Sequence, residues 1–215
     1  MKKQSCRDLW IGLCFLAAFF LWTVCLLFVD VQTIGPRESA VGFASLNGAF
    51  HKLTGVNMTL YHITDWLGLV PVAFSFGFAI LGLVQWIKRR SICRVDYSLF
   101  ILGGFYIIVF GAYLLFESVV INRRPVLIEG FLEASYPSST TLLVLCVMPT
   151  TIMQFNTRLK SATLRKWMSV ILWCFIAFMV IGRLLSGVHW LSDIIGGLLL
   201  SAGLVALYRS FAQAK

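Results

Sequence analysis

Apolar runs close to twenty residues long, almost free of charge, alternate along this chain with short clusters of basic or mixed polar residues. A hydrocarbon core of about 30 Å needs roughly twenty residues of helix to cross it. The runs fall at about 9–29, 65–87, 97–121, 138–155, 167–182 and 188–208. They predict an all-α integral membrane bundle of six transmembrane helices, with residues 1–215 as a single membrane domain. Lys2, Lys3 and Arg7 ahead of the first run resemble the start of a signal peptide. That run is too long for one and lacks a small-residue cleavage site, so it reads as a retained helix. Between residues 30 and 62 the pattern is mixed. Phe43, Leu46, Phe50 and Leu53 stand at helical spacing with Ser39 upstream as a candidate cap, which predicts a short interfacial helix, a plain loop being the alternative.

Composition agrees with this pattern. Of 215 residues, 59% are hydrophobic and 13% charged, too little charge to cover the surface of a soluble domain of this size. The net charge of +9 raises the question of nucleic acid. The basic residues instead lie in short clusters between apolar runs, with no basic face or nucleic-acid motif, and no nucleic-acid partner is expected. Thirteen of the 18 Lys and Arg residues fall at the N-terminus, after runs two and four, and at the C-terminus. The other five are Arg37, Lys52, Arg123, Arg124 and Arg183. By the positive-inside rule both termini face the cytoplasm, which requires an even number of spans. The six cysteines offer no disulfide framework and no metal-ligand spacing, so neither a metal nor a cofactor is expected.

This topology brings the unusual polar residues to one membrane level, on the outer side. Arg124 precedes Pro125 beyond run three. Pro137, Ser138, Ser139, Thr140 and Thr141 open run four, Arg183 closes run five, and His189 and Asp193 begin run six. Guanidiniums gathered together require an anion, and arginine matches the oxygens of phosphate. Outward-pointing helix starts add unpaired N–H groups to such a site. The i, i+4 spacing of His189 and Asp193 predicts one helical face, with the carboxylate holding the imidazole in one tautomer and the other ring nitrogen free to attack. Singly, each feature has an ordinary reading as a helix cap, a snorkelling arginine or an interfacial histidine. A carboxylate inside an apolar run is harder to place without a partner.

Arg183, five residues, His189, three residues and Asp193 resemble the third signature of the type 2 phosphatidic acid phosphatase superfamily. Arg124-Pro125 resembles the end of its first signature, and Tyr136 to Thr140 (Tyr-Pro-Ser-Ser-Thr) its second. The resemblance implies a helical, metal-independent membrane enzyme that removes phosphate from lipid phosphates or diphosphates. It implies His189 as the nucleophile that forms a phosphohistidine and Asp193 as its orienter. Arg124, Arg183 and the Ser138–Ser139 turn would grip the phosphoryl oxygens, joined by Thr140 and Arg123. Two positions depart from the pattern. Glu117 stands where the first signature has Lys, and is expected to modulate the site by pairing with Arg124 or Arg123, a proton donor being the alternative. Thr140 stands where the second has a His that protonates the leaving group, and a threonine hydroxyl cannot act as a general acid near neutral pH. Glu133 and His62 are candidates to supply that proton. A phosphate leaving group needs the proton far less than an alkoxide does, so lipid diphosphates such as polyprenyl diphosphate are the expected substrates. A phospholipid-binding relative without activity, a lipid phosphotransferase and, less readily, a transporter are the rival readings.

Overall fold

A computed structural model describes residues 2–212. Its helices are α1 (Lys2–Phe28), α2 (Ala44–Thr54), α3 (Met58–Leu67), α4 (Leu69–Arg89), α5 (Tyr97–Ser118), α6 (Ser139–Arg158), α7 (Ala162–Leu185) and α8 (Leu191–Ala212). Among the described residues there is no strand, only isolated β-bridges. Among the described residues, five stretches are long and apolar enough to cross a membrane: α1, α3 with α4, α5, α7 and α8. The protein is therefore a multi-pass membrane protein.

The fourth apolar run, now α6, does not reach that mark, for a reason visible in its packing. It lies against α4, α5, α7 and α8. Its polar side chains turn inward: Thr150 Oγ1 donates to the Cys146 carbonyl at 2.9 Å and meets Tyr106 Oη at 3.1 Å, and Gln154 Nε2 donates to Tyr208 Oη at 2.9 Å. A helix sheathed by other helices has little contact with lipid, and its polar groups are satisfied within the protein. Outer helices instead expose large apolar side chains such as Phe20, Ile80, Ile107 and Ile181.

Small residues set the closest approach. Gly12 of α1 faces Gly203 and Leu207 of α8, and Gly203 in turn faces Leu16, so a Cβ at either position would meet atoms within about 3 Å.

Several boundaries shift from the sequence expectation. The second run starts earlier, at Met58, where Asn57 Oδ1 accepts the Leu60 N–H at 2.9 Å, and it breaks at Gly68. The helix expected between residues 30 and 62 is α2, but Phe43, not Ser39, is its N-terminal flanking residue. The Ser39 N–H instead closes a turn onto the Pro36 carbonyl. The third run leaves the helix after Ser118. Residues 122–135 then fold back on themselves, with the Arg124 N–H donating to the Glu133 carbonyl at 3.1 Å and the Ser135 N–H to the Asn122 carbonyl at 2.9 Å. The sixth run begins with three non-helical residues, so His189 precedes α8 instead of lying within it.

Candidate phosphate site

The loop ahead of α8 presents His189. Asp193, three residues into the helix, folds its carboxylate back so that Oδ2 accepts the Trp190 N–H at 2.9 Å, the reciprocal half of a capping box. This turn leaves His189 Nδ1 3.7 Å from Asp193 Oδ2. The expected shared helical face is thus replaced by a cap, because a residue outside the helix cannot stack on one inside it. The nearer partner of Nδ1 is the Ser135 carbonyl at 3.1 Å, which fixes the proton on that nitrogen. Nε2 then accepts from Arg183 Nη2 at 3.2 Å. Burial, with the charges of Arg124 and Arg183 added, holds the His189 pKa well below its ordinary value. The imidazole is neutral, with Nε2 turned to the guanidinium.

Gly187 lets the loop take this path. Its φ is 68°, and a side chain there would run into the Gly55 carbonyl. Trp190 Nε1 donates to the Arg123 carbonyl at 2.7 Å, tying the His189 loop to the 122–135 segment.

Arg183 is 1% exposed and Arg124 8%. Burying two guanidiniums side by side is costly unless each finds partners. Arg183 Nη1 lies 3.4 Å from Asp65 Oδ1, and Arg124 Nε lies 3.0 Å from Glu133 Oε2. The Tyr61 ring lies beneath both, 5.0 Å from the Arg183 guanidinium carbon and 5.9 Å from that of Arg124. Arg183 Nε and Arg124 Nη1 remain buried without a hydrogen-bond partner, donors that an oxyanion would satisfy.

A polar cavity of about 20 Å³, room for roughly one water, is lined by Glu117, Arg124, Ser135, Ser139, Tyr136 and His189 among others. It shares Tyr113 and Ser139 with an apolar groove of about 640 Å³ between α4, α5 and α6, which also touches Asp65 and Thr140. The structure thus brings together Arg124, Arg183, Ser139, His189 and Asp193. Ser138 is buried beneath them, its N–H on the Asp193 carbonyl at 3.2 Å and its Oγ taking the Thr141 hydroxyl at 3.0 Å. Thr140 faces the groove, not the polar cavity. Arg123 turns away and donates to the Leu132 carbonyl at 2.9 Å. The expected pairing of Glu117 with Arg124 or Arg123 does not form, since Glu133 and the Leu132 carbonyl already hold those guanidiniums. His62 is exposed, its ring tilted against that of Tyr61 with centroids 5.2 Å apart. Tyr61 and Asp65 were missed by sequence reading. Their signal was the hydrophobic pattern of Met58–Leu67, which continues helically and carries both at i, i+4.

The model of one protein family, the PAP2 superfamily, matches residues 106–215, the half of the chain that carries Arg124, Arg183, His189 and Asp193. The chain belongs to the PAP2 superfamily. Comparison with curated proteins gives no match. Among solved structures, a transmembrane PAP2-type phosphatidylglycerolphosphate phosphatase from Bacillus subtilis superposes with a TM-score of 0.55. That match covers 94% of this chain and 96% of the other at 17% identity, so the two share a fold. The PAP2 assignment agrees with the helical architecture. It supports a membrane phosphatase in general terms.

Proposed function

We propose that this PAP2 protein hydrolyses lipid phosphates through a phosphohistidine, with lipid diphosphates such as polyprenyl diphosphate preferred. The observation that carries the reading is His189: a neutral imidazole, protonated on Nδ1, whose Nε2 faces Arg183 beside an Arg124 with an unpartnered N–H. Nε2 attacks phosphorus, the bond to the leaving oxygen breaks, and its electron pair departs on that oxygen. Arg124, Arg183 and the Ser139 end of α6 neutralise the charge that builds on the phosphoryl oxygens. The Ser135 carbonyl and the more distant Asp193 carboxylate stabilise the imidazolium as it forms. Water then hydrolyses the phosphohistidine and restores the free imidazole. None of these steps calls on a resident metal.

Thr140 supports the diphosphate preference. A departing alkoxide needs a proton, whereas a departing phosphate is already a weak base. Asp65 and Glu133 occupy arginine donors at the site, and substrate displaces these carboxylates as it binds. On this reading the whole chain is one membrane unit in which α6 is a sixth span. Both termini lie in the cytoplasm, and the site opens at the outer face of the cell membrane.

Purified protein assayed on lipid monophosphates and diphosphates with matched tails should release phosphate, with higher kcat/KM on the diphosphate. His189→Ala should remove at least about 10³-fold of that rate. Equal rates in the wild type and His189→Ala would refute the hydrolase and favour a phospholipid-binding role for the same pocket.

A further inference from the structure

Resting on the reading of His189 as the nucleophile, we infer that α2 holds that residue in its attacking geometry, with Asn47 and His51 as the positioning residues. Between Leu185 and Leu191 the chain is not helical, so the backbone around His189 depends on ties to other elements. Two elements supply them. The 122–135 segment takes the imidazole proton at the Ser135 carbonyl and the Trp190 indole N–H at the Arg123 carbonyl. The α2 side takes the backbone. His51 Nε2 lies 3.1 Å from the Gly187 carbonyl, to which only a protonated nitrogen can bond, and its ring packs 5.5 Å from that of Trp190. Beyond α2, the Asn57 N–H donates to the Ser186 carbonyl at 2.9 Å.

Asn47 is fully buried. Its Oδ1 accepts the Ser192 N–H at 3.1 Å, and its Nδ2 donates to Ser192 Oγ at 2.9 Å and to the Gly42 carbonyl at 2.8 Å. Ser192 is the second residue of α8, and its N–H is one of those that a helix start leaves unpaired. The residue ahead of a helix commonly caps that donor, but Trp190 stands there and an indole has no acceptor. Asn47 supplies the cap instead, from 145 positions away. The groups that would grip phosphate stand on other elements: Arg124 on the 122–135 segment, paired with Glu133, and Arg183 on α7, paired with Asp65. Loosening α2 therefore moves the attacking nitrogen and leaves the anion grip in place. A displacement of about 1 Å at the attacking atom costs about 10²-fold in rate. Because α2 precedes residues 106–215, this support comes from outside the stretch that matches the PAP2 superfamily.

The test uses the full-length protein with polyprenyl diphosphate and polyprenyl monophosphate, measuring kcat, KM and inhibition by inorganic phosphate. His51→Phe keeps a ring against Trp190 and loses the bond to Gly187, so its kcat should fall about tenfold. His51→Gln restores a side-chain N–H there and should keep most of the wild-type kcat. Asn47→Leu, similar in volume but without polar atoms, should lower kcat about 10²-fold, and Asn47→Asp, which retains an acceptor for the Ser192 N–H, by less. KM and phosphate inhibition should stay within about twofold of wild type throughout. A second readout needs no turnover. The chain has three histidines, so the nuclear magnetic resonance signals of the His189 ring nitrogens can be assigned in labelled protein. They should show one tautomer, protonated on Nδ1, in the wild type and a mixture in His51→Phe and Asn47→Leu. A purely structural α2 would lower the unfolding temperature and leave kcat and these signals unchanged. A wild-type kcat in both His51→Phe and Asn47→Leu, or a KM that rises as kcat falls, overturns the positioning role. Should Asn47→Leu fail to fold, the two His51 variants decide by the same measures. Should the wild type hydrolyse neither lipid, the nucleophile reading falls, and the histidine signals alone decide whether α2 sets the ring: a mixture in His51→Phe upholds it, and an unchanged tautomer overturns it.

Discussion

At the scale of single residues, the site is governed by what surrounds each charge. His189 is kept neutral by burial and by two guanidiniums, and its Nε2 lone pair accepts from Arg183, a contact that the proposed attack on phosphorus must break. Thr140 has no proton to give, yet it borders the groove next to Ser139 and Asp65. Thr140→His should therefore raise kcat/KM on a lipid monophosphate by up to about 10², while the diphosphate rate changes far less. The ratio of the two rates is the quantity to measure, and an unchanged ratio would show that this position lies out of reach of the leaving group. Tyr61 offers its ring to both arginines. Cation–π contact is worth about 0.5–2 kcal/mol, so Tyr61→Leu should raise KM by up to about thirtyfold, and Tyr61→Phe, which keeps the ring, should not. Steady-state kinetics on both variants separates the ring's electrostatics from the hydroxyl.

At the scale of elements, the far end of the bundle shows how helices are locked in register. Asp96, ahead of α5, accepts from Gln85 Nε2 at 2.8 Å and pairs with Arg89 at 2.9 Å and Arg158 at 3.0 Å, joining α4, α5 and α6. The Gln85 hydrogen bond first, then the two arginines, bring its pKa down to about 2. A depressed carboxylate stabilises the fold above its unfolded pKa, and that contribution fades as pH falls from about 4 through 2. Asp96→Asn should cost about 1 kcal/mol at neutral pH after solvent screening, and little below about pH 2. Unfolding midpoints of wild type and variant across that range should converge at the acid end. The 122–135 segment shows the same logic at the site, because a backbone carbonyl at Ser135 and a carboxylate at Glu133 set the positions of His189 and Arg124.

At the scale of the whole molecule, basic residues cluster on the side away from the phosphate site. If both termini are cytoplasmic, the exposed Cys93 lies inside and α2 lies outside. A membrane-impermeant maleimide applied to sealed cells should label Leu53→Cys on α2, whose native side chain is 83% exposed, and should reach Cys93 only after permeabilisation. Labelling of Cys93 in sealed cells would invert the assigned orientation. The groove between α4, α5 and α6 runs from Asp65 and Thr140 to Val72 and Val147, so the apolar groove and the polar cavity meet at Ser139 and Tyr113.

The sequence by itself determined which segments are apolar helices, since the bilayer enforces run length and composition residue by residue. It also brought out Arg124, Arg183, His189 and Asp193 as candidates, because their spacing resembles the superfamily's pattern. Tertiary structure decided what spacing leaves open. Asp193 caps a turn instead of sharing a helical face with His189, the Ser135 carbonyl takes the imidazole proton, and Glu133 displaces Glu117 from Arg124. It also decided that α6 can be polar, being sheathed by its neighbours, and that Tyr61 and Asp65 belong to the site. Such partnerships join residues more than a hundred positions apart, as Asp65 and Arg183 are. A local pattern records the geometry of its own helix, and only packing brings two distant helices to the same charge.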